Sequence, residues 1–94
     1  MAQFTKVEGT NYGDIRIFAL STCGWCRKTK AFLRDHNVSF SYVDVDLLSS
    51  DEQADVLKEQ RVYNPAESYP TIVVNSDYSI IGYDEQKLKR LIGE

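Results

Sequence analysis

The chain switches between two hydrophobic periods, and each switch marks the edge of an element. Ile15-Arg16-Ile17-Phe18-Ala19-Leu20 is a short, mostly apolar run of the kind a buried strand makes. After it, Trp25, Thr29, Phe32, Leu33 and His36 recur at helical spacing, which predicts a helix from about Gly24 to Asp35. Ser21 or Thr22 can cap its start. His36-Asn37 closes it, since Asn tolerates the left-handed backbone that ends helices. Val38 to Asp46 then alternates apolar and polar residues, as a strand does. A strand, a helix and a strand within about 30 residues make a βαβ unit, whose two strands run parallel.

Ser50-Asp51-Glu52-Gln53 has the pattern of a capping box. It predicts a second helix that ends near Gln60 or Arg61, with Ala54 and Leu57 as a thin apolar stripe. Val62 to Tyr69, with Asn64-Pro65 inside it, reads as a loop. Pro70-Thr71-Ile72-Val73-Val74, β-branched from Thr71 on, predicts a third strand. Asn75-Ser76-Asp77 turns it into a fourth, Tyr78-Ser79-Ile80-Ile81. Gly82-Tyr83-Asp84 leads into a last helix with Leu88, Leu91 and Ile92 on one face. Asp84 is its N-cap, Tyr83 and Leu88 are spaced as a hydrophobic staple, and Gly93 is its stop. Residues 1–13 form an N-terminal arm in which Phe4 and Val7 could anchor a short edge strand and Gly9 to Gly13 a loop. Residues 14–94 form the domain. The expected order β-α-β-α-β-β-α is the α/β thioredoxin fold: a four-stranded mixed sheet with helices on both faces.

Bulk properties narrow the function classes. Ninety-four residues make one core, and 11 basic against 14 acidic residues leave a net charge of -3, which gives no case for nucleic acid. No apolar stretch has the length of a membrane span, and Met1-Ala2-Gln3-Phe4-Thr5-Lys6 lacks the apolar core of a secretory signal. Two closely spaced cysteines cannot build a disulfide framework. The expectation is a cytoplasmic protein.

Those two cysteines carry the chemistry. Cys23-Gly24-Trp25-Cys26 is a C-x-x-C motif at a strand-to-helix turn in a βαβ unit, the signature of a thioredoxin-like redox site. Only a thiolate attacks a disulfide. Cys23 stands at the helix start, where unpaired N–H groups and the helix dipole favour an anion. Arg27 and Lys28 add positive charge nearby. Cys26, three residues on, is the better shielded, so Cys23 is expected to attack and Cys26 to resolve the mixed disulfide. Gly24 would let a partner's backbone approach, and Trp25 would offer it an apolar face. The bland alternatives are inert core cysteines or half of a zinc site. Zinc wants four ligands, and only His36, Asp44 and Asp46 could add to the pair. Asp44 and Asp46, at a strand end, read as solvated rather than as an acid–base pair.

Motif, element order and length together resemble the glutaredoxin family over about residues 15–93. Cys23-Gly24-Trp25-Cys26 occupies the place of the family's Cys-Pro-Tyr-Cys. Tyr69-Pro70-Thr71 matches the step with a cis-proline facing the dithiol. Gly82-Tyr83-Asp84 matches part of the Gly-Gly-x-Asp segment before the last helix. The resemblance implies a dithiol–disulfide oxidoreductase of protein disulfides, acting in redox homeostasis or as an electron donor. Its catalytic residues are then Cys23 and Cys26, and Thr22, Gly24, Trp25, Tyr69, Pro70, Gly82, Tyr83 and Asp84 meet the substrate.

It implies no metal, no bound cofactor and a monomer. Members that use glutathione carry a lysine three residues before the first cysteine, and here that residue is Leu20. Glutathione is therefore expected to be a poor reductant. The pattern also resembles redoxins, methanogen-type ones among their company, that draw electrons from a protein reductase. The alternative implied by glycine after the first cysteine is an iron–sulfur carrier, a dimer bridged through Cys23 and glutathione thiols. Two Cys23 residues supply only half of the four thiolates that a cluster needs.

Overall fold

The computed structural model describes residues 4–94. The Ile15 run becomes the centre of the sheet. It forms β2 (Ile15–Ala19), which lies between β3 (Phe40–Asp44), parallel to it, and β4 (Thr71–Val74), antiparallel to it. Its side chains alternate between two cores, Ile15, Ile17 and Ala19 on one face and Phe18 on the other. Burial on both faces is why this strand reads as a continuous apolar run rather than an alternating one.

The helix between β2 and β3, α1 (Gly24–Asp35), has the bounds its periodicity predicts. It lays Cys26, Phe32 and Leu33 on the first face, and Asn37 adopts the left-handed conformation with φ 55°. On the other face lies α2 (Ser50–Tyr63), held by Val56 and by half-buried Leu57 and Tyr63. The hairpin partner of β4 is β5 (Tyr78–Ile81). The last helix, α3 (Glu85–Leu91), returns Leu88 and Ile92 to the α1 side, and Gly93 ends it with φ 78°. Helices thus cover both faces, as expected. No helix among the described residues is long and apolar enough to cross a membrane.

The sheet has five strands, not four. Thr5–Val7 forms β1 and pairs antiparallel with β3, from Thr5 opposite Tyr42 to Val7 opposite Phe40. Phe4 stands edge-on to Phe18 with ring centroids 5.5 Å apart, while Val7 packs on the opposite core. One anchor per face is enough to dock the segment but too little to print a period on the sequence. After it, Thr10 bridges to Val38. A side chain on Gly9 would put its Cβ 2.7 Å from the Asn37 carbonyl oxygen, so only glycine lets the chain pass.

Two further expectations move. The capping box of α2 is Ser49 with Glu52, one residue earlier than Ser50 with Gln53: the Ser49 hydroxyl accepts the Glu52 N–H. Both serines are followed by a suitable acceptor, so sequence alone does not separate them. The helix also runs on to Tyr63, stopping at Asn64 because Pro65 disfavours a helical residue before it. Of the expected stripe Leu57 packs on the core and Ala54 is exposed, while Val56 and buried Gln60 complete the inner face.

Candidate active site

The turn after β2 is fixed from both ends. The Cys23 N–H donates to the Leu20 carbonyl at 3.2 Å. The Ser21 N–H donates to Asp46 Oδ1 at 2.8 Å, and the Ser21 hydroxyl donates to the other oxygen of the same carboxylate. These two bonds hold the Asp46 carboxyl below its ordinary range, the hydroxyl contributing most. Asp46 lies in the 3-10 turn that follows β3, so the motif is tied to the strand beside it.

Cys23 is the N-cap of α1, with extended backbone (φ -86°, ψ 116°). Its Sγ accepts the Cys26 N–H at 3.1 Å, standing where a serine or aspartate oxygen usually stands. The backbone donor that a helix start leaves unpaired is thereby aimed at the sulfur. Cys23 is half-buried and Cys26 wholly buried, and both are free thiols. Burial, with the neighbouring Cys23 side chain, pushes the Cys26 thiol from about 9.0 up to about 12, against the positive charge of Lys30. One sulfur is within reach of a partner and the other is shielded, which is the division of labour that disulfide exchange needs.

The residues expected to meet a substrate fall around this pair. Thr22 and Gly24 are exposed on either side of Cys23. Trp25 is 60% exposed and stacks on half-buried Tyr83 with centroids 5.9 Å apart. Lys28 Nζ stands 5.3 Å from the Trp25 ring and 5.0 Å from the Tyr83 ring. The Tyr69–Pro70 bond is cis. Tyr69 packs against both cores, and burial raises its hydroxyl above its ordinary value. Pro70 is buried, and its carbonyl accepts the Gly82 N–H at 2.9 Å. Gly82 has φ 76°, which favours glycine there. Asp84 accepts the Lys87 N–H at 3.1 Å, so its carboxylate caps α3.

Sequence reasoning missed the partners of two residues here. Asp46 is exposed, as expected, and its carboxylate also anchors the turn through Ser21. Asp44 forms an ion pair with Lys30, 3.0 Å apart and largely out of water. The signal was the Asp44-Val45-Asp46 spacing itself, which puts two carboxylates at the end of the strand beside the motif. His36 stacks on Phe32 and its Nδ1 bonds the Phe32 carbonyl at the far end of α1, away from the cysteines.

Comparison with known proteins agrees with this geometry. The family model described as Glutaredoxin matches residues 15–79. The chain is similar to the glutaredoxin of Methanosarcina mazei Go1 at 36% identity and a TM-score of 0.89, with 99% of this chain and 90% of that one covered. It is 40% identical to the methanoredoxin of Methanosarcina acetivorans, with a TM-score of 0.88 and coverage of 92% and 90%. A glutaredoxin-like 8.6 kDa protein of the rubredoxin operon of Clostridium pasteurianum is 30% identical over 78 residues, 83% of this chain and 96% of that protein. A C-x-x-C turn capping a helix, in a five-stranded sheet of this order and with these relatives, leaves one assignment: the chain belongs to the glutaredoxin family.

Proposed function

We propose that the protein is a dithiol–disulfide oxidoreductase that reduces disulfides in other proteins and works as a monomer. The observation that carries this reading is the pairing of an accessible Cys23 Sγ, 3.1 Å from a backbone N–H, with a wholly buried Cys26. The Cys23 thiolate attacks one sulfur of the target disulfide. A bond forms between them, and the second target sulfur leaves with the electron pair and takes up a proton. Cys26 then loses its proton and attacks Cys23 Sγ. The Cys23–Cys26 bond forms, and the remaining target sulfur departs as a thiolate. Two electrons have passed to the target, and an external donor must restore the dithiol. The second step is fast because both sulfurs sit on one helical turn. Trp25 and Tyr83 give the target a stacked aromatic surface beside the sulfur, and Thr22, Gly24, Tyr69, Pro70, Gly82 and Asp84 form the rest of its seat.

The donor in this reading is a protein disulfide reductase rather than glutathione. Leu20 stands where glutathione-using relatives carry a lysine, and it packs half-buried against the Phe18 core. It offers a glutathione carboxylate no cation. No bound cofactor enters the cycle, and we assign the protein to the cytoplasm, where thiols are kept reduced.

The test is reduction of one protein disulfide with two donor systems, glutathione with its reductase and a thioredoxin-type reductase. Turnover with the protein reductase, at least about tenfold faster than with glutathione and absent in Cys23→Ser, is the expected result. Equal turnover with glutathione would overturn the choice of donor. Activity surviving in Cys23→Ser would overturn the reading itself.

A further inference from the structure

Lys30 and Asp44 form an ion pair beneath the dithiol that the cycle above leaves without a task. Lys30 follows Cys26 by four residues, so the two share a face of α1. That is the face turned to the sheet, and Lys30 is 8% exposed. Its Nζ lies 3.0 Å from Asp44 Oδ1 and 4.0 Å from the centroid of the Tyr42 ring. The side chains of the pair keep 10% and 18% of their exposure. Asp44 ends β3 opposite Ala19, the last residue of β2 before the motif. Stability is a weak reason for such a pair, since buried ions seldom outdo well-packed apolar side chains of the same size. A charge held out of water does act strongly on its neighbours.

We propose that Lys30 and Asp44 are positioning residues whose opposed charges set how readily Cys26 becomes a thiolate, and so how fast it resolves the mixed disulfide. The inference rests on the dithiol–disulfide reading. In the step concerned, Cys26 gives up its proton and its sulfur bonds to Cys23 Sγ. The bond from Cys23 to the target breaks, and the target sulfur leaves with the electron pair. Lys30 favours the negative sulfur, opposing the burial that disfavours it. Asp44 draws part of that positive charge to itself. The other titratable groups around Cys26 are Cys23 on the turn and Tyr69 before β4, with Tyr83 before α3 on the same core, to which the α3 end gives Leu88 and Ile92. Among the described residues, the ion pairs Lys89–Glu85 and His36–Glu94 on the same side of the sheet are far more exposed than Lys30–Asp44.

The pair can be tested by charge sign, because damage to packing has no sign. In the full chain carrying Cys23→Ser, Cys26 is the only thiol, and the Cβ chemical shift of carbon-13-labelled cysteine follows its titration free of the tyrosines. Adding Lys30→Met is expected to raise the midpoint by about one pH unit, adding Asp44→Asn to lower it by about as much, and adding Lys30→Arg to leave it within about 0.3 unit. In the chain with both cysteines, resolution of a preformed mixed disulfide at neutral pH should slow about threefold with Lys30→Met and quicken about threefold with Asp44→Asn. The tenfold change in thiolate is partly offset by the opposite change in its nucleophilicity.

Midpoints that stay put, or that move the same way in both variants, would overturn the inference. Should Lys30→Met fail to fold, the downward shift in Asp44→Asn decides alone. A wild-type chain that forms no mixed disulfide through Cys23 would instead sink the oxidoreductase reading, with the Cys26 titration still reporting on the pair.

Discussion

Both faces of the sheet bury polar groups, but of different kinds. On the α1 side lie a buried thiol, Cys26, and the Lys30–Asp44 ion pair. On the α2 side the Arg16–Glu59 ion pair lies at the margin, and the fully buried polar groups are neutral. Thr71 Oγ1 donates to the Ser68 carbonyl at 2.8 Å and accepts from Asn64 Nδ2 at 2.9 Å and Gln60 Nε2 at 3.2 Å. Gln60, Asn64 and Thr71 are all buried. That network grips the chain at Ser68, just ahead of Tyr69 and Pro70, and its strength does not depend on protonation. One face therefore fixes the geometry of the segment opposite the dithiol, while the other carries groups that respond to pH and to redox state. A variant on the first should change stability alone, and one on the second should change how stability or rate depends on pH.

The largest effect of this kind belongs to Cys26. Its thiol titrates near 12 in the folded chain and near 9.0 as an ordinary cysteine. Between those values the unfolded chain has lost a proton that the folded chain keeps, so the group's contribution is complete below about 9 and fades as pH rises. In the Cys23→Ser chain, unfolding free energy should fall with pH above 9 by up to about 1.4 kcal/mol per unit more than in a Cys23→Ser, Cys26→Ala chain. Parallel pH curves from chemical denaturation of the two chains would show that burial does not hold the proton.

The neutral face gives the counterpart. Thr71→Val keeps the shape of the side chain but takes a hydrogen-bond partner from Asn64 and Gln60 and leaves one bond fewer at the Ser68 carbonyl. It should cost about 1–3 kcal/mol, read as a lower melting temperature by about 5–15 °C for a domain of this size. The loss should be the same at pH 6 and pH 9. A loss that grew or shrank across that range would mean that the two faces are not separate.

A smaller and pH-dependent loss is expected at the turn. The folded Asp46 carboxyl titrates below its ordinary 3.8, so its bonds to Ser21 add stability above that value and lose it as pH falls through the folded one. Asp46→Asn should melt slightly below the wild type at neutral pH, and the gap should close in acid. A gap that stayed constant as pH was lowered to the limit of folding would put the effect on shape rather than charge.

What the sequence made legible follows the same division. The strands and α1 were readable because their apolar side chains recur at fixed periods, from Ile15 to Leu33 and from Thr71 to Ile81. The dithiol was readable because its spacing is chemical. The edge strand at Phe4 and Val7 was legible but its place beside β3 was not, since one anchor per face prints no period. The length of α2 was not, since Gln60 and Asn64 are buried by their hydrogen bonds to Thr71, and no hydropathy pattern marks a polar residue as core. The bonds of Asp44 and Asp46 were not legible because their partners, Lys30 and Ser21, stand 14 and 25 residues away. Pairing across the fold leaves no periodic trace in the chain.

The smallest expected effect sharpens the reading of Gly24. It is the first residue of α1, it has no positive φ, and a Cβ placed on it would meet only the Arg27 guanidinium at 4.0 Å. Nothing in the fold requires glycine there, in contrast to Gly9, whose neighbours leave no room. Gly24→Ala should therefore fold with unchanged or slightly raised stability, by at most about 1 kcal/mol, because alanine loses less backbone freedom in a helix. The added methyl lies beside Cys23, where a partner's backbone must come close to exchange its disulfide. Attack on a small linear disulfide such as 2-hydroxyethyl disulfide should be nearly unchanged, while reduction of a protein disulfide should slow. Equal slowing on both would mean that the methyl disturbs the Cys23 sulfur itself. No slowing on either would mean that partners approach from another side, over Trp25 and Tyr83 rather than over the helix start.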